Sequence, residues 1–345
     1  MLTVRKLDVA DAATARRWDD FVFACPAATF FHRSSWQQIV RDIFRHPTYF
    51  FYAERDGRIC GVLPLAHVKS RLFGNALVAM PFAVYGGGAT NDAAAASALE
   101  AEARQLAGRL HVDHLEFRNV SQRHADWPTQ NLYVTFRKEI RPEVEENMLG
   151  IPRKQRAMVR KGIKNGLLST VDRDTDRFFA LYADNVHRHG TPALPKRYFD
   201  TLLQVFGDDC EILTVTDSDG RLLSSVLSFY FRDEVLPYYA GDDESARHLA
   251  ANDFKYWELM RRSCERGIKL FDYGRSKRGT GSFAFKKNWG FEPQPLHYEY
   301  CLYKRDSIPQ NNPANAKYRI FIEAWRRMPI GLANWLGPHI VRNLG

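Results

Sequence analysis

Short apolar runs, polar turns and amphipathic segments alternate along the whole chain of 345 residues. Apolar side chains recur at helical spacing from Trp36 to Phe44, which predicts a helix with one buried face. Two apolar runs, 49–53 and 59–69, flank the turn Arg55-Asp56-Gly57-Arg58, and this order predicts a β-hairpin. A strand, a glycine-rich loop, an alanine-rich helix and a further strand follow at 76–80, 84–88, 93–110 and 114–118. The pattern is that of a mixed α/β (α+β) protein.

The second half of the chain repeats this order of elements. A DGR turn precedes an apolar strand at Asp56-Gly57-Arg58 and again at Asp219-Gly220-Arg221. Each half then continues with a Tyr and Gly at a strand end, a helix and an apolar strand; these are Tyr85-Gly86, 93–110 and 114–117, then Tyr239-Ala240-Gly241, 249–266 and 269–272. A repeated order of elements indicates two copies of one domain. We predict domains at 1–140 and 141–305 and a tail at 306–345.

Positive charge is in excess and is concentrated in one segment. The formal net charge of +9 and the isoelectric point near 9.3 favour an anionic partner, namely nucleic acid, a phosphorylated substrate or an acidic membrane surface. The segment 151–166 predicts a helix that Pro152 begins and Gly166 ends. Its candidate contacts to phosphate or RNA are Arg153, Arg156, Arg160 and Lys164. An ordinary solvated helix face is the alternative interpretation.

The remaining composition narrows the class of protein. Five scattered cysteines without a CxxC pair indicate free thiols in a reducing compartment. The N-terminal residues lack an apolar signal core, and no run approaches the length of a membrane span. The eleven histidines are dispersed, so we expect no metal. We therefore expect a cytoplasmic, monomeric protein.

One stretch, 269–293, combines the residue types of a reaction site. A short apolar strand ends on Asp272, a polar loop with three cations follows, and an aromatic segment then carries Lys286 and Lys287. In open α/β sheets, ligands bind outside the carboxyl ends of strands. The sequence therefore predicts a site here, and an ordinary strand, loop and helix with solvated cations is the alternative.

Four motifs in this order resemble the Fem family of aminoacyl-transferases and the related acetyltransferase-like proteins of exopolysaccharide and exosortase systems. They are Ser35-Trp36-Gln37-Gln38-Ile39-Val40-Arg41, Pro81 with Val84-Tyr85-Gly86-Gly87, the basic segment 153–166, and Phe271-Asp272-Tyr273-Gly274 with the run 285–291. The resemblance spans about residues 30 to 300. It implies two GNAT-like (N-acetyltransferase-like) domains in tandem.

The resemblance also implies a reaction and its participants. A Fem-like protein transfers an amino acid or acyl group from aminoacyl-tRNA or acyl-CoA, without a tightly bound cofactor, onto an amine of an anionic or lipid-linked cell-envelope precursor. Arg41 and Tyr85 match positions that hold the acceptor's phosphates or sugar-peptide, and Lys286 or Lys287 matches a lysine near the reacting carbonyl. Trp36 is a further substrate-binding candidate. Thr90 stands where the family has an acidic residue, with Asp92 nearby. The inserted arm for tRNA is reduced to 153–166.

The expected chemistry is aminolysis of an ester or thioester, which needs a group that stabilises the developing oxyanion. We expect Lys286 or Lys287 to supply it, and Asp272, Tyr239 or the substrate to relay the proton. Tyr239, Asn252 and Arg275 are further substrate-binding candidates, and Asn252 is also a candidate helix cap. We predict that Lys286, Lys287, Asp272, Tyr239 and Tyr85 line one cleft. The turn 246–252 has no glycine, which argues against an ordinary CoA pyrophosphate loop.

The tail interleaves aromatic and cationic residues. We predict one or two helices over 314–342 whose aromatic face is partly covered, giving peripheral contact with the inner membrane. Docking on its own domain is the alternative. For the chain as a whole, the alternative function is a non-catalytic RNA- or membrane-binding protein on a degenerate tandem GNAT scaffold.

Overall fold

The computed structural model of the chain describes residues 1–70, 73–309 and 316–343. The first half contains β1 (Leu2–Lys6), α1 (Ala12–Ala24), α2 (Trp36–Phe44), β2 (Thr48–Arg55), β3 (Arg58–Ser70), β4 (Gly74–Ala79), α3 (Ala93–Arg109), β5 (His114–Asn119), β6 (Thr129–Gln130) and β7 (Tyr133–Glu139).

The second half contains α4 (Val144–Leu149), α5 (Arg153–Lys164), β8 (Leu168–Asp172), α6 (Asp176–Arg188), α7 (Lys196–Phe206), β9 (Cys210–Thr216), β10 (Leu222–Phe231), β11 (Glu234–Asp242), α8 (Ala246–Leu249), α9 (Ala251–Glu265), β12 (Leu270–Asp272), β13 (Ser276–Lys277), α10 (Gly281–Asn288), β14 (Pro293–Pro295) and β15 (His297–Leu302). Two further helices, α11 (Ala316–Arg327) and α12 (Ile330–Val341), follow.

The chain divides into two compact units that exchange a strand. The first unit comprises Met1–Tyr133, Pro295–Gln310 and Arg342–Gly345, and the second comprises Val134–Gln294 and Asn311–Val341. The first sheet has the order β1-β2-β3-β4-β5-β15-β6, and the second has the order β8-β9-β10-β11-β12-β7-β13. Each sheet therefore takes its sixth strand from the other half of the sequence. The domains predicted from the sequence, 1–140 and 141–305, are contiguous and do not include this exchanged strand.

The two sheets share one topology. In the first unit β4 pairs parallel with β5, and β15 then pairs antiparallel with β5. In the second unit β11 pairs parallel with β12, and β7 then pairs antiparallel with β12. The repeated order of motifs in the sequence thus corresponds to two mixed α/β domains of like topology, as predicted.

Local sequence signals explain the elements that were predicted well. The helix predicted at Trp36–Phe44 is α2, with Trp36, Ile39 and Val40 buried. The predicted hairpin is β2 and β3, whose two-residue turn places Asp56 and Gly57 at φ 50° and 78°. Positive φ at both central residues is the geometry that favours Asp-Gly in hairpins.

A tight helix contact positions the basic helix α5 in the second unit. Gln155, Val159 and Gly162 recur at helical spacing and face α9, and Gln155 Nε2 donates to Asp253 Oδ1 at 2.6 Å. A Cβ atom at Gly162 would lie 2.7 Å from Cβ of Phe254. The missing side chain at Gly162 is what allows α5 and α9 to approach so closely.

The tail forms two helices, as predicted, although residues 314 and 315 of the predicted range lie outside the described residues. Trp325 is buried, Met328 O accepts from the ring of His187 at 2.9 Å, and Arg326 Nε donates to Arg188 O at 2.9 Å. The tail helices are therefore held on α6 and the segment that follows it. Among the described residues, no helix is long and apolar enough to cross a membrane.

The α5–α9 contact can be tested by adding one methyl group. Alanine has a higher helix propensity than glycine, so Gly162→Ala would stabilise an isolated helix by about 0.5–1 kcal/mol. The clash with Phe254 reverses that sign, and we expect a net loss of roughly 1–3 kcal/mol from overpacking. The measurement is chemical unfolding. Gly108→Ala, in α3 with no atom within 4 Å of the added Cβ, is the matched control and is expected to be neutral or stabilising; equal effects of the two changes would contradict this packing.

Candidate active site

Asp272 closes the end of strand β12 and organises the turn that follows. Its side chain is fully buried, and its Oδ1 accepts from the amide of Gly274 at 2.7 Å and from Thr135 Oγ1 at 3.2 Å. Its Oδ2 lies 3.3 Å from Arg137 Nε. Two of these partners, Thr135 and Arg137, come from the exchanged strand β7. A carboxylate held in this way orders the turn and is not presented to a substrate.

Lys286 binds the same turn from helix α10. Its Nζ donates to three consecutive carbonyl oxygens, those of Tyr273 at 2.6 Å, Gly274 at 3.1 Å and Arg275 at 3.1 Å. Gly274 adopts φ 65°, a left-handed conformation that favours glycine. An ammonium group has three donors, so this resting geometry uses all of them. Lys286 and Asp272 together therefore fix the turn through its carbonyl and amide groups.

The surroundings of Lys286 shift its protonation equilibrium. Burial lowers the pKa of Lys286 to about 8, Asp272 opposes this shift, and Arg275 adds to it. The ammonium lies 5.8 Å from the ring centroids of both Phe136 and Tyr273. The predicted partly apolar environment of a site lysine is thus present at Lys286. Lys287, on the same helix, is exposed to solvent.

Tyr239 lies within an aromatic cluster of the second unit. Its hydroxyl is 3.1 Å from that of Tyr198, and its ring contacts those of Tyr182, Phe199 and Tyr238. Burial raises the pKa of Tyr239 well above the usual value, so the phenol stays protonated at neutral pH. The geometry favours a packing role over proton acceptance. Whether Tyr85 shares a cleft with Lys286 remains a prediction, because Tyr85 belongs to the first unit.

Asn252 does not cap helix α9. The helix begins at Ala251, its N-cap is Ala250 at φ 60°, and Asn252 lies inside the first turn. The carboxylate of Asp253 in that turn accepts from Trp289 Nε1 at 3.0 Å and from Gln155. Burial raises the pKa of Asp253. The short helix α8 occupies most of the glycine-free turn.

The basic helix α5 keeps most of its cations in solvent. Arg153, Arg160 and Lys164 are exposed, and within the described chain their side chains have no hydrogen-bond or salt-bridge partner. Arg156 is half-buried and donates to Leu149 O at 3.1 Å. Lys154 and Lys161 add to the exposed charge. Unpaired like charges on one rigid helix are typical of a surface that binds an anion.

In the first unit, two of the predicted substrate-binding residues are core residues. Trp36 is 3% exposed, and its Nε1 donates to Phe30 O at 3.1 Å. Tyr85 is 4% exposed and packs against the ring of Phe31. The aromatic spacing that matched the family motif therefore stabilises the fold of this unit, and we do not assign substrate contact to Trp36.

Arg41 is the exposed acceptor-side candidate. Its guanidinium binds both oxygens of Asp42, at 2.7 and 3.1 Å, and lowers the pKa of that carboxyl group. It lines a surface pocket of about 520 Å³ with Lys6, Gln37 and Tyr49.

Asp92, the carboxylate nearest to Thr90, caps α3 by accepting from the amides of Ala94 and Ala95. The carboxylate of Asp92 therefore has a structural role as a helix cap.

The sequence did not reveal ion pairs between residues that are far apart in the chain. Arg137 binds Glu234 and Asp272 only because β7 crosses into the second sheet. Lys255 is fully buried and pairs with Asp242 Oδ1 at 2.9 Å. A lone lysine in an amphipathic helix has no local signal of burial. Among the described residues, no group of three or more His, Cys, Asp or Glu side chains could hold a metal ion.

Comparisons with known proteins identify a matching domain in the second half of the chain. Residues 152–287 match the acetyltransferase (GNAT) domain family. The UDP-N-acetylmuramoylpentapeptide-lysine N(6)-alanyltransferase of Weissella viridescens is 21% identical over 136 residues, which are 39% of this chain and 40% of that protein. The chain thus spans about two-fifths of this curated relative.

Solved structures extend the similarity of fold to almost the whole chain. FemX matches with a TM-score of 0.67 and 15% identity, covering 87% of this chain and 98% of FemX. The C-terminal domain of a putative lysylphosphatidylglycerol synthetase from Agrobacterium fabrum matches with a TM-score of 0.57 and 13% identity over 84% and 92%. A tandem GNAT protein from clavulanic acid biosynthesis matches with a TM-score of 0.53 and 15% identity over 89% and 100%.

Residues 152–287 match a GNAT domain, and the fold of the chain is similar to that of a tandem GNAT protein. The alanyltransferase relative and FemX show that the chain is similar to Fem-type proteins, the resemblance that the four motifs predicted.

The role of Lys286 in the turn predicts an asymmetry between the two adjacent lysines. Lys286→Met keeps the apolar stem and removes the donors to three carbonyl groups. Hydrogen bonds from charged groups contribute about 1.5–3 kcal/mol, so we expect a loss of that order in chemical unfolding. Lys287→Met, at an exposed position, is expected to change stability by about 0.5 kcal/mol or less. Equal losses in the two variants would rule out the three-carbonyl contact.

Proposed function

We propose that this chain transfers an aminoacyl group from an aminoacyl ester onto an amine of a phosphorylated or lipid-linked cell-envelope precursor. The observation that supports this most directly is the turn 273–275, which Asp272 and Lys286 hold at the carboxyl end of β12 inside the GNAT-matched segment. The alanyltransferase relative is named for an activity of this class. Fem-like and GNAT proteins use aminoacyl-tRNA or acyl-CoA as co-substrate.

In the proposed reaction, the acceptor amine attacks the ester carbonyl carbon. A C–N bond forms, the C–O bond to the ribose breaks, and the ribose hydroxyl leaves with a proton that the attacking nitrogen loses. Negative charge develops on the carbonyl oxygen, and a fixed cation stabilises it. Lys286 supplies that cation when the substrate oxygen replaces one of the three backbone carbonyl groups around Nζ. Asp272 and Arg137 hold the turn in position but do not reach the substrate.

Two features favour an aminoacyl ester of RNA over acyl-CoA as the donor. The exposed, unpaired cations of α5 suit a phosphate backbone, since each released counterion adds affinity. The first turn of α9 already carries the carboxyl group of Asp253, where a GNAT pyrophosphate would bind at a helix N-terminus. On the acceptor side, Arg41 and Lys6 at the first-unit pocket are suited to a phosphate group.

The role of Lys286 predicts a large rate effect. Lys286→Met should lower kcat/KM for amide formation by about 100- to 1,000-fold, as expected for loss of an oxyanion donor. Lys287→Met should remain near the wild-type rate. The assay follows transfer from a mixed pool of aminoacyl-tRNA, and in parallel from acyl-CoA, onto a lipid-linked envelope precursor. Near-wild-type rates in both lysine variants would remove Lys286 from the mechanism, and a product formed from acyl-CoA alone would overturn the proposed donor.

The protonation state of Lys286 predicts a pH dependence. Because its pKa is lowered to about 8, the ammonium is present below that pH and is lost as the pH rises through it. Arginine stays protonated throughout this range. The wild-type rate, divided by that of Lys286→Arg, should therefore fall above about pH 8. A ratio that stays constant between pH 6 and 10 would assign the alkaline limb to another group.

The α5 surface predicts how the donor binds. Reversing Arg160 and Lys164 to Glu should raise KM for aminoacyl-tRNA and reduce its salt dependence, because fewer phosphate contacts lower the slope of log affinity against log salt. Reversal of Arg58 and Lys69, cations in β3 of the first unit, is the matched control. An unchanged KM and salt slope in the α5 variant would show that the donor does not use this helix.

A further inference from the structure

We propose that the tail helices α11 and α12 form a docking surface for an anionic phospholipid bilayer. The exposed large apolar side chains of the described chain are concentrated here. Fourteen such residues are exposed, and five of them lie between positions 320 and 335: Ile320, Phe321, Ile330, Leu332 and Trp335. Exposed apolar surface of this density costs free energy in water unless a partner covers it.

The apolar residues of α12 divide into a docked face and an outward face. Ala333 and Gly337 are buried, and a Cβ at Gly337 would lie 3.0 Å from Ala193 O. Trp335 is two positions from each of them, so at 100° per residue it points away from that contact. It is 66% exposed. Leu332, three positions before Trp335 and 45% exposed, lies on the same outward side.

Contacts on the inner side of the tail helices hold them against the rest of the second unit. Trp325 is buried and stacks with Phe321 at a ring-centroid distance of 5.5 Å. Met328 O and the Arg326 guanidinium bind His187 and the carbonyl of Arg188, respectively. One side of the tail therefore docks on its own domain, which was the alternative interpretation of the sequence. The other side still presents tryptophan and leucine to solvent.

Charge complementarity selects an anionic bilayer as the occupant. The sequence from 316 to 341 has four Lys and Arg residues against one Glu. Arg327 is exposed and, within the described residues, has no side-chain partner. Tryptophan favours the bilayer interface, and each basic residue near an anionic surface adds attraction. A second copy of the chain would bring a tail with the same excess of positive charge, and it is an outcome of the test.

This surface accounts for access to a lipid-linked acceptor and so deepens the proposed function, but vesicle binding and amide formation can be measured and can fail separately. A protein held at the bilayer reaches an acceptor whose lipid stays in the membrane.

The fluorescence of Trp335 can report on this surface. Six of its seven tryptophans are at most 8% exposed, and Trp335 is 66% exposed. Iodide quenching of the full-length protein therefore reports mainly on Trp335. We expect vesicles containing a third of phosphatidylglycerol in phosphatidylcholine to protect the fluorescence from iodide, shift it to shorter wavelength and co-sediment the protein. Pure phosphatidylcholine vesicles should bind it more weakly.

Three variants make the experiment specific. Trp335→Glu should abolish co-sedimentation, and Arg327→Glu should weaken binding to the anionic vesicles by about fivefold or more, since each basic residue contributes about a factor of five. Leu149→Glu, which alters a leucine at the end of α4 that is 56% exposed, is the control and should bind like the wild type. Circular dichroism verifies that each variant is folded.

Two results would overturn the proposal. One is full iodide quenching of Trp335 in the presence of anionic vesicles. The other is a concentration-dependent dimer in sedimentation velocity that protects Trp335 and that Trp335→Glu abolishes, because the occupant would then be a second copy.

Discussion

Three consecutive carbonyl oxygens converge on the ammonium group of Lys286, and this contact determines the geometry at the carboxyl end of β12. Backbone carbonyls that point to one place repel each other unless a cation lies between them. Lys286 supplies that cation from α10, and Asp272 supplies the matching acceptor for the Gly274 amide. The position of α10 and the φ of 65° at Gly274 are tied to this contact, and burial at the same place lowers the pKa of Lys286 to about 8. In the proposed reaction, the same cation stabilises an oxyanion by exchanging one carbonyl partner for the substrate.

The two units stabilise the end of their parallel strand pair with different side chains. In the first unit, Arg118 on β5 forms a buried pair with Glu116 at 2.7 Å and donates to the carbonyl of Ala83 at 2.8 Å, in the loop after β4. That loop contains Met80 and Phe82 at positive φ, and Gly86 approaches so closely that a Cβ there would lie 2.3 Å from Ala79 O. An internal arginine thus fills the end of the first parallel strand pair. The corresponding end in the second unit is held by Lys286, whose pKa burial lowers to about 8.

The sequence predicted what depends on local pattern. Helix α2, the Asp56-Gly57 hairpin and the tandem order of elements follow from periodicity and turn chemistry. The strand exchange could not be predicted, because a strand such as Tyr133–Glu139 carries no mark of the sheet that it joins. The same distance in sequence concealed Thr135 and Arg137 as partners of Asp272. Trp36 and Tyr85 look alike as motif residues whether they face a ligand or the core, and burial alone separates the two cases.

The most direct test of the proposed mechanism is a crystal structure of the protein with a stable amide analogue of an aminoacylated RNA 3′ end. If Lys286 acts as proposed, the analogue's carbonyl oxygen lies within hydrogen-bond distance of Lys286 Nζ, in place of one of the carbonyl groups of residues 273–275, and its phosphates lie on the exposed face of α5. An analogue bound elsewhere, with all three backbone contacts of Lys286 intact, would show that Lys286 only stabilises the turn and would contradict its role in transfer.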